Sequence, residues 1–487
     1  MVCGMCFNLL LIRPNSLTGK TFSKVSGIMP PLNLASLASY IESRSIKESF
    51  KIIIKILDFE LNSKKVKKQL KNTISNFRPD LIGFTSHTNN LPAVKFLARI
   101  VKKLDSKIKI VLGGPHPTIK PYETFDFCPQ IDYLVCGEGE ETLFELIIYL
   151  QRGGIEISSI KGLYYKSIKN EIQFNGIREL ITDLSSIPPP SRHLLEFEKY
   201  LKSPQTPGMW KRTVNIFTQR GCPYNCSFCA SPLIHRKIVR FFGLDRIISE
   251  LDEVISKYKI EHVNFRDSNF TINRSDCIKL CHKLIENRYN LTWNCETRVN
   301  LIDRELLKEM KRAGCIKISF GVETGSPRIL RKVDKKIKIR EVIQAFDLCK
   351  EMGIETQAFF MIGFPDETQK DLVCTWQLIR RINPNYLFIS LVVPLPGTRI
   401  SDEFANEGLF LKTRDYSAFQ FFYMKPPAKT LYFKINELIK IQRQMYVKFF
   451  LNIGYISRMV RKIKTFSQLR YYLFSIIDLF AFLIKRR

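Results

Sequence analysis

Short apolar runs alternate along this chain with longer stretches whose apolar residues recur every three or four positions. Phe7–Ile12 (FNLLLI) is the first run, closed by RPNS, and reads as a buried strand with its loop. PPLNLASLASYIESRS follows, with Leu32, Leu34, Leu37, Ala38 and Ile41 at helical spacing and prolines where a first turn accepts them. FKIIIKILDFE is a second strand, and residues 63–77 a Lys-rich helix. PDLIGFTSHTNN is a third strand and loop, LPAVKFLARIVKKLD a helix, and KIKIVLGGPHPT a fourth strand. IDYLVCGEGEETLFELIIYL gives a strand, a Gly-rich turn and a helix. Five such alternations predict a doubly wound parallel sheet whose ligand lies beyond the C-terminal strand ends. The loops at those ends are RPNS, TSHTNN, GGPHPT and CGEGEET.

GLYYKSIKNEIQFNG reads as a small hairpin and LSSIPPPSRHLLE as a Pro-rich linker. Alternation then resumes: TVNIFTQRGC, HVNFRDSNFT, LTWNCETR, CIKISFGVETG, ETQAFFMIGFP and YLFISLVVPLPGT are six strands separated by amphipathic helices. They occupy about 190 residues, where a closed eight-unit barrel takes about 250. The fold class predicted is therefore α/β: a Rossmann-like domain over residues 1–182, a linker at 183–205, a partial (β/α)6 TIM-type barrel over 206–408, and a helical C-terminal region, 409–487.

Composition sharpens this only in places. With 45% hydrophobic, 12% aromatic and 25% charged residues the chain is globular rather than disordered. The N-terminal apolar run lacks a basic leader and a small-residue cleavage site, and no apolar run reaches the roughly 18 residues of a spanning helix. Thirteen scattered cysteines form no regular framework, so a reduced, cytoplasmic setting is expected. The formal net charge is +30, and residues 409–487 hold 16 Lys/Arg against 3 Asp/Glu. Near its end Tyr471–Ile484 is apolar and aromatic between basic flanks. Two readings stand: a helix packed on the barrel, or an anchor lying on an inner membrane face. No RNA-binding motif accompanies the charge, which argues against a nucleic-acid partner.

The densest chemistry is QRGCPYNCSFCAS, where Cys222, Cys226 and Cys229 stand in a C-x3-C-x2-C spacing. A structural zinc site wants four protein ligands, and three thiolates cannot close one alone. An iron–sulfur cube held by three cysteines leaves one iron free for a substrate or cofactor. Spacing alone does not choose between these metals. Elsewhere Cys3 and Cys6 lack partners, Cys277 and Cys281 fall at i and i+4 on a helix, and Cys295, Cys315, Cys349 and Cys374 sit within elements as packing residues. Cys136 stands directly before the Gly-rich turn.

CPYNCSFC, directly after the first strand of a β/α barrel, resembles the signature of the radical S-adenosylmethionine (SAM) superfamily, including the aromatic Phe228 before the last cysteine. The resemblance implies a four-iron–four-sulfur cluster on Cys222, Cys226 and Cys229, whose free iron chelates SAM and whose electron cleaves it to a 5′-deoxyadenosyl radical. It further implies SAM contacts at successive strand ends. FRDSNFT (Asp267, Asn269) is similar to the segment receiving the amino group, and SFGVETGS (Glu323) to the acidic end facing the ribose. FMIGFPDET (Gly363, Pro365) resembles the turn near the adenine, PLPGT (Pro396, Gly397) the last strand end, and NCETRVN (Glu296, Arg298) the fourth-strand segment. The N-terminal domain resembles the cobalamin-binding domain of one branch of the superfamily, through GGPHPT, CGEGEET, GLYY and PPPSRHLL. Its implied contacts are Ser86, His87, Gly113, Gly114, His116, Gly137, Glu138 and Gly139. The motif that supplies a lower axial histidine is absent, which implies cobalamin without that ligand.

The resemblance implies an enzyme methylating an unactivated centre of a small-molecule or lipid-like substrate, fed by an electron donor such as flavodoxin or ferredoxin. Oxidative ring closure of the anaerobic magnesium-protoporphyrin ester cyclase type shares the same motifs. A methylthiotransferase acting on RNA and a non-catalytic cobalamin or cluster sensor are the remaining alternatives.

Overall fold

The computed structural model describes residues 6–15, 28–201, 211–411, 415–419, 427–461 and 463. These form two compact units, dividing between Tyr200 and Leu201, with residues 233–236 joining the first.

The first unit is built on seven strands: β1 (Phe7–Arg13), β2 (Ile52–Asp58), β3 (Leu81–Thr85), β4 (Lys109–Gly113), β5 (Tyr133–Val135), β6 (Leu163–Lys166) and β7 (Ile172–Phe174). Their order is β2-β1-β3-β4-β5-β6-β7. The first five are parallel, and the expected hairpin, β6 and β7, is antiparallel and extends the same sheet beyond β5. The strands are apolar because both faces are covered. Leu9, Leu11, Val111 and Val135 meet Ala35, Ala38 and Ile41 of helix Leu32–Lys47 and Phe144 and Ile147 of helix Glu140–Arg152 in one core cluster. Strand order reverses at β1, and the C-terminal ends around that reversal are where such sheets take ligands. The Pro-rich segment packs on this unit. Ser191 donates its N–H to the Ala35 carbonyl at 3.0 Å, and the Tyr200 hydroxyl meets Asp58, which also holds Arg13.

In the second unit β8 (Thr213–Ile216), β11 (His262–Phe265), β12 (Thr292–Thr297), β13 (Cys315–Glu323), β14 (Glu355–Ile362) and β15 (Tyr386–Leu391) pair in parallel and in sequence order. β8 and β15 are not paired with each other, so the sheet is an open, six-stranded barrel segment. A short antiparallel pair, β9 (Gln219–Arg220) and β10 (Arg240–Phe241), brackets the cysteine loop. Side-chain caps define the helix starts: Asn273, Asp303, Ser326, Thr368 and Thr398 each accept a backbone N–H of the following turn. Helix Ile435–Phe450 follows and lies on β15, where Tyr446 and Gln442 donate to the Ile389 carbonyl. Helix Ile453–Val460 continues it, and the apolar Tyr471–Ile484 run lies outside the described residues. Among the described residues no helix is long and apolar enough to cross a membrane.

Candidate functional site

Cys222, Cys226 and Cys229 lie on the loop that leaves β9, and Gly221 opens it at φ +98°, a left-handed conformation that suits glycine. Cys226 is buried, and the other two are half-buried. Burial pushes the Cys222 thiol up, and that of Cys229 up to about 11. Neighbouring donors face the sulfurs. Asn269 Nδ2 donates to Cys222 Sγ at 3.1 Å, and an Arg298 guanidinium nitrogen stands 3.7 Å from Cys226 Sγ. Arg298 is buried, stacks its guanidinium 3.6 Å over the Tyr224 ring, and donates to the Lys335 carbonyl. Phe228 packs against the cluster of Ile329, Val333, Met361 and Phe404, with Lys335 Nζ 5.9 Å from its ring centre. Ser227 ties the loop down at both sides, donating to the Val333 carbonyl and accepting from the Ile400 N–H, each at 3.0 Å. Cationic and amide donors aimed at buried sulfurs stabilise thiolates rather than thiols. Among the described residues no three His, Cys, Asp or Glu side chains are gathered tightly enough to hold a single metal ion. A cube of four irons and four sulfides spans more room than one ion.

Asp267 takes a different place from the one expected. Its carboxylate accepts from Thr218 N–H at 2.9 Å, Thr218 Oγ1 at 2.9 Å and Gln219 N–H at 3.0 Å, and it is 1% exposed. It faces the base of the cysteine loop, not open space, and its chemistry is to position that loop. Gln219 Nε2 reinforces the link by donating to the Asn269 carbonyl at 2.6 Å. NCETRVN also moves: Glu296 and Arg298 belong to β12 and its exit, the third strand of the six, and Glu296 pairs with Arg266 at 2.7 Å. The fourth, β13, ends at Glu323, which sits at φ +67° beside a register shift. That strained backbone turns the carboxylate toward Lys335, 2.6 Å away. Gly321 makes room, since a Cβ there would lie 2.6 Å from Glu323 Oε1.

Gly363 (φ +91°) and Pro365 form the turn after β14, and Pro396 and Gly397 (φ +77°) the turn after β15. Sequence reasoning passed over Glu367, two residues beyond Pro365. It is fully buried, accepts from Gly363 N–H at 2.5 Å and holds the turn, while its Oε1 has no partner. Burial pushes its pKa up to about 8. The folded protein thus binds a proton that the unfolded chain releases above the usual 4.5, so stability falls as pH rises between roughly 4.5 and 8. We expect Glu367→Gln to flatten this slope, by an order of 3 kcal/mol across that window. Urea unfolding of both proteins at pH 5 and pH 8 checks it, and an unchanged slope in the variant refutes it. Lys335, in a lysine-rich stretch, gave no sequence signal either.

In the first unit the expected residues converge on the C-terminal strand ends. Ser86, after β3, donates N–H to the Gly113 carbonyl at 2.9 Å and accepts the His116 N–H at 3.2 Å. Gly114 (φ +106°) passes so close that a Cβ would stand 2.7 Å from the Ser86 carbonyl oxygen. His116 is buried with Nδ1 3.1 Å from Thr88 Oγ1, and burial lowers its pKa to about 4. His87 stands exposed, its backbone N–H held by Asn90 Oδ1. The turn after β5 joins them, with Gly137 N–H donating to Thr118 Oγ1 at 3.0 Å. Gly137 (φ +85°) has nothing within 4 Å of a built Cβ, so the backbone faces open space there. Glu138 is turned instead to the Ile181 N–H, at 2.9 Å, and a Cβ on Gly139 would stand 3.3 Å from Val135. Cys136 donates to the Pro117 carbonyl, and burial raises its thiol to about 12.

Residues 216–378 match the family description "Radical SAM superfamily", and residues 20–147 match "B12 binding domain". An uncharacterised methyltransferase of Pyrococcus horikoshii is 33% identical over 444 residues, covering 91% of this chain and 92% of that protein. The anaerobic magnesium-protoporphyrin IX monomethyl ester cyclase of Rubrivivax gelatinosus is 28% identical over 455 residues, covering 92% and 78%. Among solved structures, the radical SAM methyltransferase TsrM of Kitasatospora setae, with cobalamin and an iron–sulfur cluster bound, superposes with a TM-score of 0.69 at 19% identity, covering 84% and 79%. The cobalamin-dependent SAM radical enzyme OxsB superposes at 0.74 and 16% identity, covering 98% and 72%. These two likenesses show the fold.

Proposed function

The chain belongs to the radical SAM superfamily, in the branch that also carries a B12-binding domain, and from that premise we propose that it is a cobalamin-dependent radical SAM methyltransferase. The observation that carries the proposal is the three-thiol loop, Cys222, Cys226 and Cys229, set after the first barrel strand with Asn269 and Arg298 donating to its sulfurs. When bound there, a four-iron–four-sulfur cluster with one iron free of protein ligands supplies the electron that cleaves SAM to methionine and a 5′-deoxyadenosyl radical. Asp267 and Gln219 hold the loop's base, and Phe228 and Ser227 hold its far side. Asn269 and Arg298 offset the negative charge of the sulfurs. Glu323, held toward Lys335, supplies a carboxylate for the ribose of SAM, and the glycine-bearing turns at Gly363–Pro365 and Pro396–Gly397 close the strand ends beside its nucleoside.

Cobalamin is assigned to the strand ends of the first unit, at Ser86, His87, Gly113, Gly114 and Gly137–Gly139. His116 packs inward on Thr88, which fits a corrin bound without a histidine beneath it. The electron comes from a reduced flavodoxin- or ferredoxin-type protein, and the substrate is a small or lipid-like molecule.

The relative from Rubrivivax gives the cyclase reading its weight. The two reactions differ in products. Methyl transfer yields S-adenosylhomocysteine together with 5′-deoxyadenosine, whereas ring closure yields no S-adenosylhomocysteine. Anaerobic incubation with SAM, hydroxocobalamin, a strong reductant and a cell extract as substrate source, followed by mass spectrometry, tests this. Both nucleosides are expected, and deoxyadenosine without S-adenosylhomocysteine overturns the methyltransferase assignment.

A further inference from the structure

Toward the strand starts, the inner face of the second sheet is polar where parallel barrels usually stack branched apolar side chains; further along the same face Phe359 and Phe388 pair. Register sets the rows. Thr213, His262 and Thr292 pair across β8, β11 and β12. Asn215, Asn264, Asn294, Lys317 and Glu355 pair across five strands, and Glu296, Ser319 and Gln357 form a row above, with Tyr386 beside Gln357. Paired residues of parallel strands share a face, and the residues between them (Val214, Val263, Trp293, Cys295, Ile318) are buried and apolar, with Thr356 on β14 the polar exception. The alternation therefore puts the polar set on one face deliberately, not as scattered exceptions.

Most members of the rows satisfy one another. Asn264 donates to Asn215 Oδ1 at 3.1 Å, Asn294 meets His262 Nε2 at 3.1 Å, and His262 Nδ1 meets Thr292 Oγ1 at 2.9 Å. Lys317 is the exception. It is 6% exposed, and its contacts are Gln357 Oε1 at 3.4 Å and the Tyr386 ring at 5.4 Å from its centre. Among the described residues no carboxylate lies within ion-pair reach of its ammonium, although Glu355 and Glu296 act on it from further away. Burial lowers its pKa to about 8. Such an ammonium costs folding free energy unless something else completes it.

We infer that Lys317, with Gln357 and Asn294 beside it, forms an oxyanion-accepting subsite inside the barrel segment that receives the acid group of the substrate. The inference rests on the reading of the second unit as the substrate-binding barrel of a radical SAM enzyme. It narrows the substrate class from any small or lipid-like molecule to one bearing a carboxylate or a phosphoryl group. Arg266 is already paired with Glu296 and so leaves the accepting role to Lys317.

Anaerobically purified full-length protein is titrated by calorimetry with malonate in one arm and inorganic phosphate in the other, alongside Lys317→Met and Lys317→Arg. The wild type is expected to bind at least one probe, with at least about tenfold weaker binding in Lys317→Met and partial rescue in Lys317→Arg. The arm that binds identifies the acid. The Lys317→Met protein is expected to melt no lower than the wild type, because methionine fills the same space without a buried charge. Equal binding to wild type and Lys317→Met, no binding to the wild type, or a lower melting temperature for Lys317→Met overturns the proposal, the last by making Lys317 a structural member of the network. Deoxyadenosine formation by the wild type is measured separately. Its absence would count against the radical SAM reading and leave the binding result standing.

Discussion

Cys226→Ala is expected to lose the iron–sulfur cluster and, with it, SAM cleavage. Cys226 is the most buried of the three thiols of the loop, and the Arg298 guanidinium stands 3.7 Å from its sulfur. Removing the sulfur leaves two protein ligands for a cluster that needs three, and leaves a buried cation facing an empty methyl. Loss of a supporting contact to a metal ligand costs about 10–100-fold, so loss of the ligand itself should exceed about 100-fold in deoxyadenosine formation. The fold should survive, because Ser227 and Phe228 still tie the loop through Val333, Ile400 and the surrounding cluster. Cys281→Ala is the matching control. That thiol is fully buried on helix Arg274–Glu286, so its loss removes packing and costs about 1 kcal/mol without touching the iron content. Iron and sulfide analysis, the visible absorbance of the bound iron and thermal melting separate the two variants. Retained iron in Cys226→Ala contradicts the assignment.

The second large effect is expected at Gly114. An alanine there must hold φ +106° and place its Cβ 2.7 Å from the Ser86 oxygen and 2.9 Å from the Ser86 nitrogen. Backbone strain of about 1–3 kcal/mol and an overpacking cost of similar size add to roughly 3–4 kcal/mol of lost stability. The junction of the β3 and β4 loops must then open, and cobalamin retention should fall with it. Gly137→Ala offers a contrast. Its φ of +85° carries the strain, but nothing stands within 4 Å of the new Cβ. It should cost about 1 kcal/mol while still weakening cobalamin, because the methyl occupies the space the backbone leaves open. Denaturant unfolding and the corrinoid absorbance after desalting measure both effects. Equal losses in the two variants would refute the distinction.

The first sheet was legible because parallel strands covered on two faces leave apolar runs such as FNLLLI, and the second because its short strands, CIKISF among them, recur between amphipathic helices. The cysteine loop was legible from its spacing together with its place directly after the first barrel strand. What hydropathy could not carry was the direction of each polar side chain. Asp267 and Asn269 are two residues apart at a strand end, yet one carboxylate turns under the loop to Thr218 while the other side chain meets Cys222. Glu367 escaped notice because a buried carboxylate looks like any surface one until its backbone donors are seen. Lys335 and Lys317 sit among the chain's many lysines, and only register and burial single them out. The Pro-rich stretch read as a linker, but Ser191 and Tyr200 bind it to the first unit through hydrogen bonds that composition does not reveal.

The most direct measurement is the fate of SAM on the anaerobically reconstituted, dithionite-reduced protein. The expected result is 5′-deoxyadenosine and methionine in equal amounts, with none from the Cys222→Ala, Cys226→Ala or Cys229→Ala proteins. Intact SAM after reduction, or cleavage that persists in any of the three variants, would contradict the account.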